Sequence, residues 1–144
     1  MIEIKRIKAE ETYAIRKEVL RKNIELPFIF HGDLDKDTFH LGLFLDHNLI
    51  GIVSFMKLAC KDLKGNQYQL RGMATLDQYQ GKGYGQQLIK FGSEVLKEKP
   101  MELVWCNARV AAVNFYKKAG FKTIGKEFYI PKIGGHFVMF KKLG

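Results

Sequence analysis

The sequence predicts an α/β fold of the α+β kind: a central mixed, mostly antiparallel sheet of about six to seven strands flanked by about four helices. Seven runs of alternating or continuous apolar residues read as strands, and several stretches carry apolar side chains at spacings of three and four. A glycine-dense turn, Gln80-Gly81-Lys82-Gly83-Tyr84-Gly85, joins one strand-like run to one helix-like run.

Ile2 to Ile7 alternates, with Ile2 and Ile4 on one face of a strand. Ala9 to Arg21 follows as a helix with Thr12, Ile15 and Val19 in a stripe. From Asn23 to Thr38 the period is lost around Pro27, Gly32 and several acids, which fits a second short helix or an irregular loop. Phe39 to Asp46 and Leu49 to Ala59 are strand-like and meet at the turn Asp46-His47-Asn48; with Tyr68 to Thr75 they make an antiparallel meander. Beyond the glycine turn, Leu88, Ile89, Gly92, Val95 and Leu96 form one helical face that ends before Pro100. Leu103 to Cys106 is continuously apolar, as in a strand buried on both faces. Arg109 to Ala119 predicts a helix closed by Gly120, and Phe121 to Ile130 and His136 to Lys142 predict a last pair of strands.

A chain of 144 residues suits one domain spanning 1–144, and 47% hydrophobic content suits a folded globule. No apolar segment reads as a signal peptide or a membrane span, so the expectation is a cytoplasmic protein without a membrane partner. Cys60 and Cys106 fit no zinc or redox spacing and are expected reduced, within strands. The acids from Asp33 to Asp37 have the spacing of a calcium loop, but Thr38 and Phe44 stand where glycine and glutamate are needed, so no metal site is expected. Twenty-four Lys and Arg against 15 Asp and Glu give a net charge of +9. The basic residues are scattered, which favours a solvated surface that attracts an anionic ligand over a nucleic-acid partner.

The glycine turn suits phosphate. Residues without side chains let the backbone approach an anion with several N–H donors, and the helix dipole adds partial positive charge. The dinucleotide fingerprint fails, because Gln86 and Leu88 stand where glycine is required. The Walker pattern fails at Leu76 and Gly83. The pattern [QR]-x-x-G-x-[GA] fits, preceded by Met73-Ala74-Thr75 and by Leu76-Asp77-Gln78-Tyr79. A second block, A-x-x-x-Y-x-x-x-G-F, runs from Ala112 through Tyr116 to Gly120-Phe121.

With both blocks in order, the chain resembles the GNAT superfamily of acetyl-CoA-dependent N-acetyltransferases, strongly over residues 68 to 128. The resemblance implies a sheet splayed between its fourth and fifth strands, with acetyl-CoA as co-substrate lying in the gap. It implies cofactor contacts from Met73, Ala74, Thr75, Gln80, Gly81, Lys82, Gly83, Tyr84, Gly85 and Phe115, and it puts Tyr116 beside the thioester sulfur as general acid. Some relatives carry a glutamate base near Gln69, which glutamine cannot replace; His136, with His40 behind it, or a chain of waters is the alternative. Arg71 and Arg109 are candidates for a substrate carboxylate or phosphate, or for internal pairs with Glu102 or Glu127. Arg109 stands where many relatives have asparagine. The expected activity is acetyl transfer to the primary amine of a small polar or amino-acid-like metabolite, by a monomer or homodimer. A protein amine, or a cofactor-binding sensor without turnover, are the rival readings.

Overall fold

The computed structural model describes all 144 residues, Met1–Gly144. Seven strands form one sheet: β1 Ile2–Ile7, β2 Phe39–Leu45, β3 Asn48–Met56, β4 Gln67–Thr75, β5 Leu103–Arg109, β6 Lys122–Ile130 and β7 Gly134–Lys142. Their order is β1-β2-β3-β4-β5-β7-β6, and every neighbouring pair is antiparallel except β4 with β5.

There are three helices rather than about four. The first, α1, is composite: a 3-10 turn Ala9–Thr12, an α turn Tyr13–Ile15 and a π turn Arg16–Leu20. The others are α2, Tyr84–Glu98, and α3, Val113–Lys118, which a 3-10 turn Val110–Ala112 precedes. Residues 21–38 form turns and no helix. The hairpin between β2 and β3 is a two-residue turn with Asp46 at φ 48° and His47 at φ 71°, the left-handed pair that matches the twist of the flanking strands.

Two boundaries move. β5 continues through Arg109, so that residue ends a strand instead of opening a helix. β3 stops at Met56, which leaves Cys60 in the following turn region, while Cys106 is buried in β5; both are free thiols.

The main core joins β2, β3, β4 and β5 to α2 and α3, and Leu88, Ile89 and Leu96 of the predicted α2 face are buried within it. Gly92 lets α2 lie against the sheet, since a Cβ there would collide with the buried Phe55 ring. Gly92→Ala is therefore expected to lower stability by about 1–3 kcal/mol through overpacking, read as a lower denaturant midpoint at unchanged slope.

Candidate active site

β4 and β5 pair only from Gln67↔Leu103 to Gln69↔Trp105. Beyond Gln69 the two strands separate, and the β5-facing backbone of residues 70–75 has no ladder partner. The predicted splay is present, between the fourth and fifth strands. β4 also holds one extra residue: Ile52 faces Ala74 and Ser54 faces Arg71, so Gly72 and Met73 together oppose Val53. Gly72 takes φ 62°, and a Cβ there would crowd the Phe30 ring and the Arg16 guanidinium at 3.2 and 3.3 Å. The bulge re-aims β4 where it leaves its neighbour.

At the end of β4 the chain makes a 3-10 turn, Asp77–Tyr79, and enters the glycine turn. Gly81 and Gly83 have φ 76° and 84°, and a Cβ on either would meet nothing within 4 Å. Their freedom therefore serves backbone shape and access from outside. The N–H groups of residues 81–86 meet no backbone acceptor; Gln87 is the first whose N–H is taken, by the Gly83 carbonyl at 3.2 Å. These donors and the start of a 15-residue helix make an anion cradle. Gln80 braces the turn, its Nε2 donating to the Thr75 carbonyl at 2.9 Å and to Asp77 at 3.3 Å. Gly85 has a packing role instead, because a Cβ there would lie 2.8 Å from Phe115 and 3.5 Å from Met73. Gln86 Nε2 donates to the Phe115 carbonyl at 2.9 Å, tying α2 to α3. Lys82 is exposed, Tyr84 is half-buried, and the Ala74 side chain is buried beneath the sheet with Ile15 and Ile52.

On β4 and β5, beside the divergence, lies a cavity of about 280 Å³ lined by Gln69, Arg71, Met73, Arg109, Tyr116 and His136 among others. The fold thus gathers both predicted catalytic residues and both predicted substrate arginines. Tyr116 is buried, its ring held edge-on by Phe115 at 5.2 Å and Phe121 at 5.3 Å. Burial pushes its hydroxyl well above the ordinary tyrosine value, neighbouring Cys106 adds to this, and Arg109 opposes it. Tyr116 therefore holds its proton at neutral pH. His136 lies across the β5–β7 ladder from Arg109 and stacks near Phe128 at 5.7 Å. Its Nδ1 is 2.8 Å from the Gly134 carbonyl, so that nitrogen carries the N–H and the neutral ring keeps its lone pair on Nε2. Gln69 Oε1 is buried in the cavity wall with no hydrogen-bond partner.

His40 is elsewhere. Its Nδ1 lies 2.6 Å from the Ser54 hydroxyl and its Nε2 3.0 Å from the Asp33 carbonyl, within a buried network that also holds Arg16. Both ring nitrogens are engaged and the ring does not line the cavity, so the reserve role as base is not supported. Glu102 and Glu127 pair with neither arginine: Glu102 accepts from the Asn66 N–H at 2.7 Å, and Glu127 lies against Gly135.

Sequence reasoning missed Arg21, Phe30 and Asn107 in the cavity wall and the buried Arg16 behind it. Arg16 Nη1 and Nη2 donate to Asp33 at 2.7 and 2.9 Å, and further bonds reach the Phe28 carbonyl and Ser54. The one available signal was Asp33 and Phe30 in a segment without period. No local pattern says that such a segment folds back onto β4.

A mixed sheet that opens between two parallel strands, with unpaired N–H groups at one end of the opening and a polar cavity beside it, is a geometry that can receive an anionic ligand next to a second molecule. Comparison with known proteins gives the family. The sequence profile of the Acetyltransferase (GNAT) family matches residues 3–121; the chain belongs to that family and is an acyltransferase. It is 41% identical over 145 residues to the uncharacterized N-acetyltransferase YitI of Bacillus subtilis (strain 168), covering 99% of this chain and 97% of that one. Among solved structures, a putative N-acetyltransferase from Lactobacillus plantarum superposes with a TM-score of 0.81 at 16% identity, covering 99% of each chain. The PaiA N-acetyltransferase from Thermoplasma acidophilum, in complex with coenzyme A, gives 0.76 at 21% identity, covering 99% of each. The family uses acetyl-CoA, and the open cradle at Gly81 and Gly83 with its unpaired N–H groups fits a pyrophosphate.

Proposed function

We propose that this acyltransferase passes the acetyl group of acetyl-CoA directly to the primary amine of a small polar or amino-acid-like metabolite. The observation that carries the reading is the cavity in which Tyr116 and His136 meet Arg71 and Arg109 beside the β4–β5 opening. Its volume of about 280 Å³ suits a metabolite better than a folded protein surface.

The diphosphate would rest on the N–H groups of the Gly81–Gly85 turn, with Lys82 adding charge. The pantetheine arm would run along Met73, Ala74 and Thr75 as an added strand, with Phe115 at its side. When bound, acetyl-CoA supplies a thioester acyl group. Around it, the protein has three tasks. A main-chain N–H near Met73 would polarise the carbonyl oxygen. His136 Nε2 would take a proton from the acceptor ammonium, directly or through water, and Gln69 Oε1 would accept from its remaining N–H. After the amine nitrogen bonds to the acyl carbon and the C–S bond breaks, Tyr116 Oη would give its proton to the departing sulfur and be restored by the second proton shed from the nitrogen, directly or through water. No covalent enzyme intermediate is needed. The cytoplasm is the proposed location; the two free thiols, Cys60 and Cys106, support it.

Thiol release from acetyl-CoA over a panel of amines tests this reading: tight cofactor binding with no amine-dependent turnover refutes it. The turn is tested separately. Gly83→Val forces a branched side chain into φ 84° and turns the N–H donors away, so the KM for acetyl-CoA is expected to rise roughly 10- to 100-fold at similar kcat. An unchanged KM removes the turn from the cofactor site.

A further inference from the structure

Three arginines share the cavity without an acid. Arg21, Arg71 and Arg109 line it, and no aspartate or glutamate does. None of the three has a carboxylate within 4.0 Å, whereas Arg16, just behind, is paired with Asp33 through Nη1 and Nη2. The Phe30 ring organises the group: the Arg71 guanidinium lies 4.4 Å from its centroid and that of Arg21 lies 5.5 Å away. Arg21 Nε donates to the Pro27 carbonyl at 2.9 Å, and Arg109 Nη2 to the Leu20 carbonyl at 3.1 Å. Such contacts to neutral carbonyls orient the guanidinium groups without neutralising them. The Arg71 guanidinium donates no hydrogen bond to the protein; only its main chain is held, in the ladder opposite Ser54. Like charges in one recess repel, and burial together with Arg109, Arg71 and Arg16 lowers the Arg21 pKa. A bound anion relieves that repulsion, and planar forks of N–H donors match the oxygens of phosphate or carboxylate.

We propose that the acceptor amine belongs to a molecule carrying a dianionic group, a phosphate monoester or a pair of carboxylates, held by Arg21, Arg71 and Arg109. The inference rests on the acetyltransferase reading for the word acceptor and on the arginines alone for the anion. It excludes polyamines, whose extra cations would face three guanidinium groups with no acid to receive them.

The experiment is calorimetry on the full chain at fixed ionic strength, with and without saturating coenzyme A. The probes are O-phosphoserine, L-glutamate, glycinamide and spermidine. Phosphoserine or glutamate is expected to bind, the stronger one identifying the anion, while glycinamide and spermidine do not. Arg71→Gln and Arg21→Gln are each expected to weaken that binding roughly 10- to 100-fold while coenzyme A binds as before. Equal binding of spermidine or glycinamide, no binding of either dianion, or arginine variants that leave dianion binding unchanged would each overturn the proposal. Variants that lose coenzyme A instead reassign the arginines to the cofactor. Loss of coenzyme A binding in the unaltered protein, with dianion binding kept, counts against the acetyltransferase reading and not against this one.

Discussion

Tyr116→Phe is expected to lower kcat by about a hundredfold or more, the usual contribution of a positioned proton donor, while acetyl-CoA binds nearly as before. The substitution keeps the ring that packs between Phe115 and Phe121 and removes only the hydroxyl. The fall therefore belongs to kcat rather than to folding or to KM. The pH profile gives a second check. Burial, reinforced by Cys106, holds the Tyr116 pKa above its ordinary value of 10.0. A donor whose pKa is raised stays protonated up to that higher pH, so the unaltered enzyme is expected to show no alkaline loss of kcat from this group below pH 10. If kcat survives the change, Tyr116 is a core residue on an apolar stripe and the proton comes from elsewhere.

Asp33→Asn is expected to cost about 3–5 kcal/mol, the effect of leaving a buried charge without its partner. Arg16 is fully buried, and its two bonds to Asp33 are what neutralise it. An asparagine keeps the shape but points N–H donors at a donor-only guanidinium. Against a total stability of about 5–15 kcal/mol this is a large share, equivalent to roughly 10–20 °C in Tm. The loss reaches the active site, because Asp33 also accepts from the Phe30 N–H at 2.8 Å and Phe30 carries the arginine face.

The pH dependence has a definite sign. Burial raises the Asp33 pKa, but the hydrogen bonds from Arg16 and the Phe30 N–H, with the charges of Arg16 and His40, outweigh it and leave the pKa below 3.8. A depressed carboxylate pKa adds stability above the unfolded value and loses it as pH falls through the folded one. The gap between the unaltered protein and Asp33→Asn is therefore expected to stay constant above pH 3.8 and to narrow in stronger acid. The double variant Arg16→Met with Asp33→Leu is expected to recover much of the stability, because burying neither charge removes the desolvation cost. A loss below about 1 kcal/mol for Asp33→Asn would mean that the pair does not hold the loop.

Much of the fold was legible because its signals are local. Period two gave the strands, the Leu88–Leu96 stripe gave α2, and Asp46-His47 gave the hairpin. The β5 boundary slipped because Asn107 and Arg109 look polar in sequence and are strand residues facing a cavity. α1 was legible as a helix but not as a π turn that buries a charge, since the partner, Asp33, stands 17 residues away in a stretch without period.

The order of residues alone settled the sheet meander, the glycine turn after β4, the tyrosine at 116 and with them the family, because each depends on near neighbours in the chain. Which arginines meet was left to the packing of distant segments. Arg16 and Arg21 come from α1 and its exit and Arg71 from the β4 bulge, and only the closing of residues 21–38 over the sheet brings these three around the Phe30 ring, with Arg109 from the end of β5 across the same cavity. Charge neutralisation and cation–π contact act through space, so three of the scattered basic residues, Arg21, Arg71 and Arg109, meet in one positive recess that no local pattern announces.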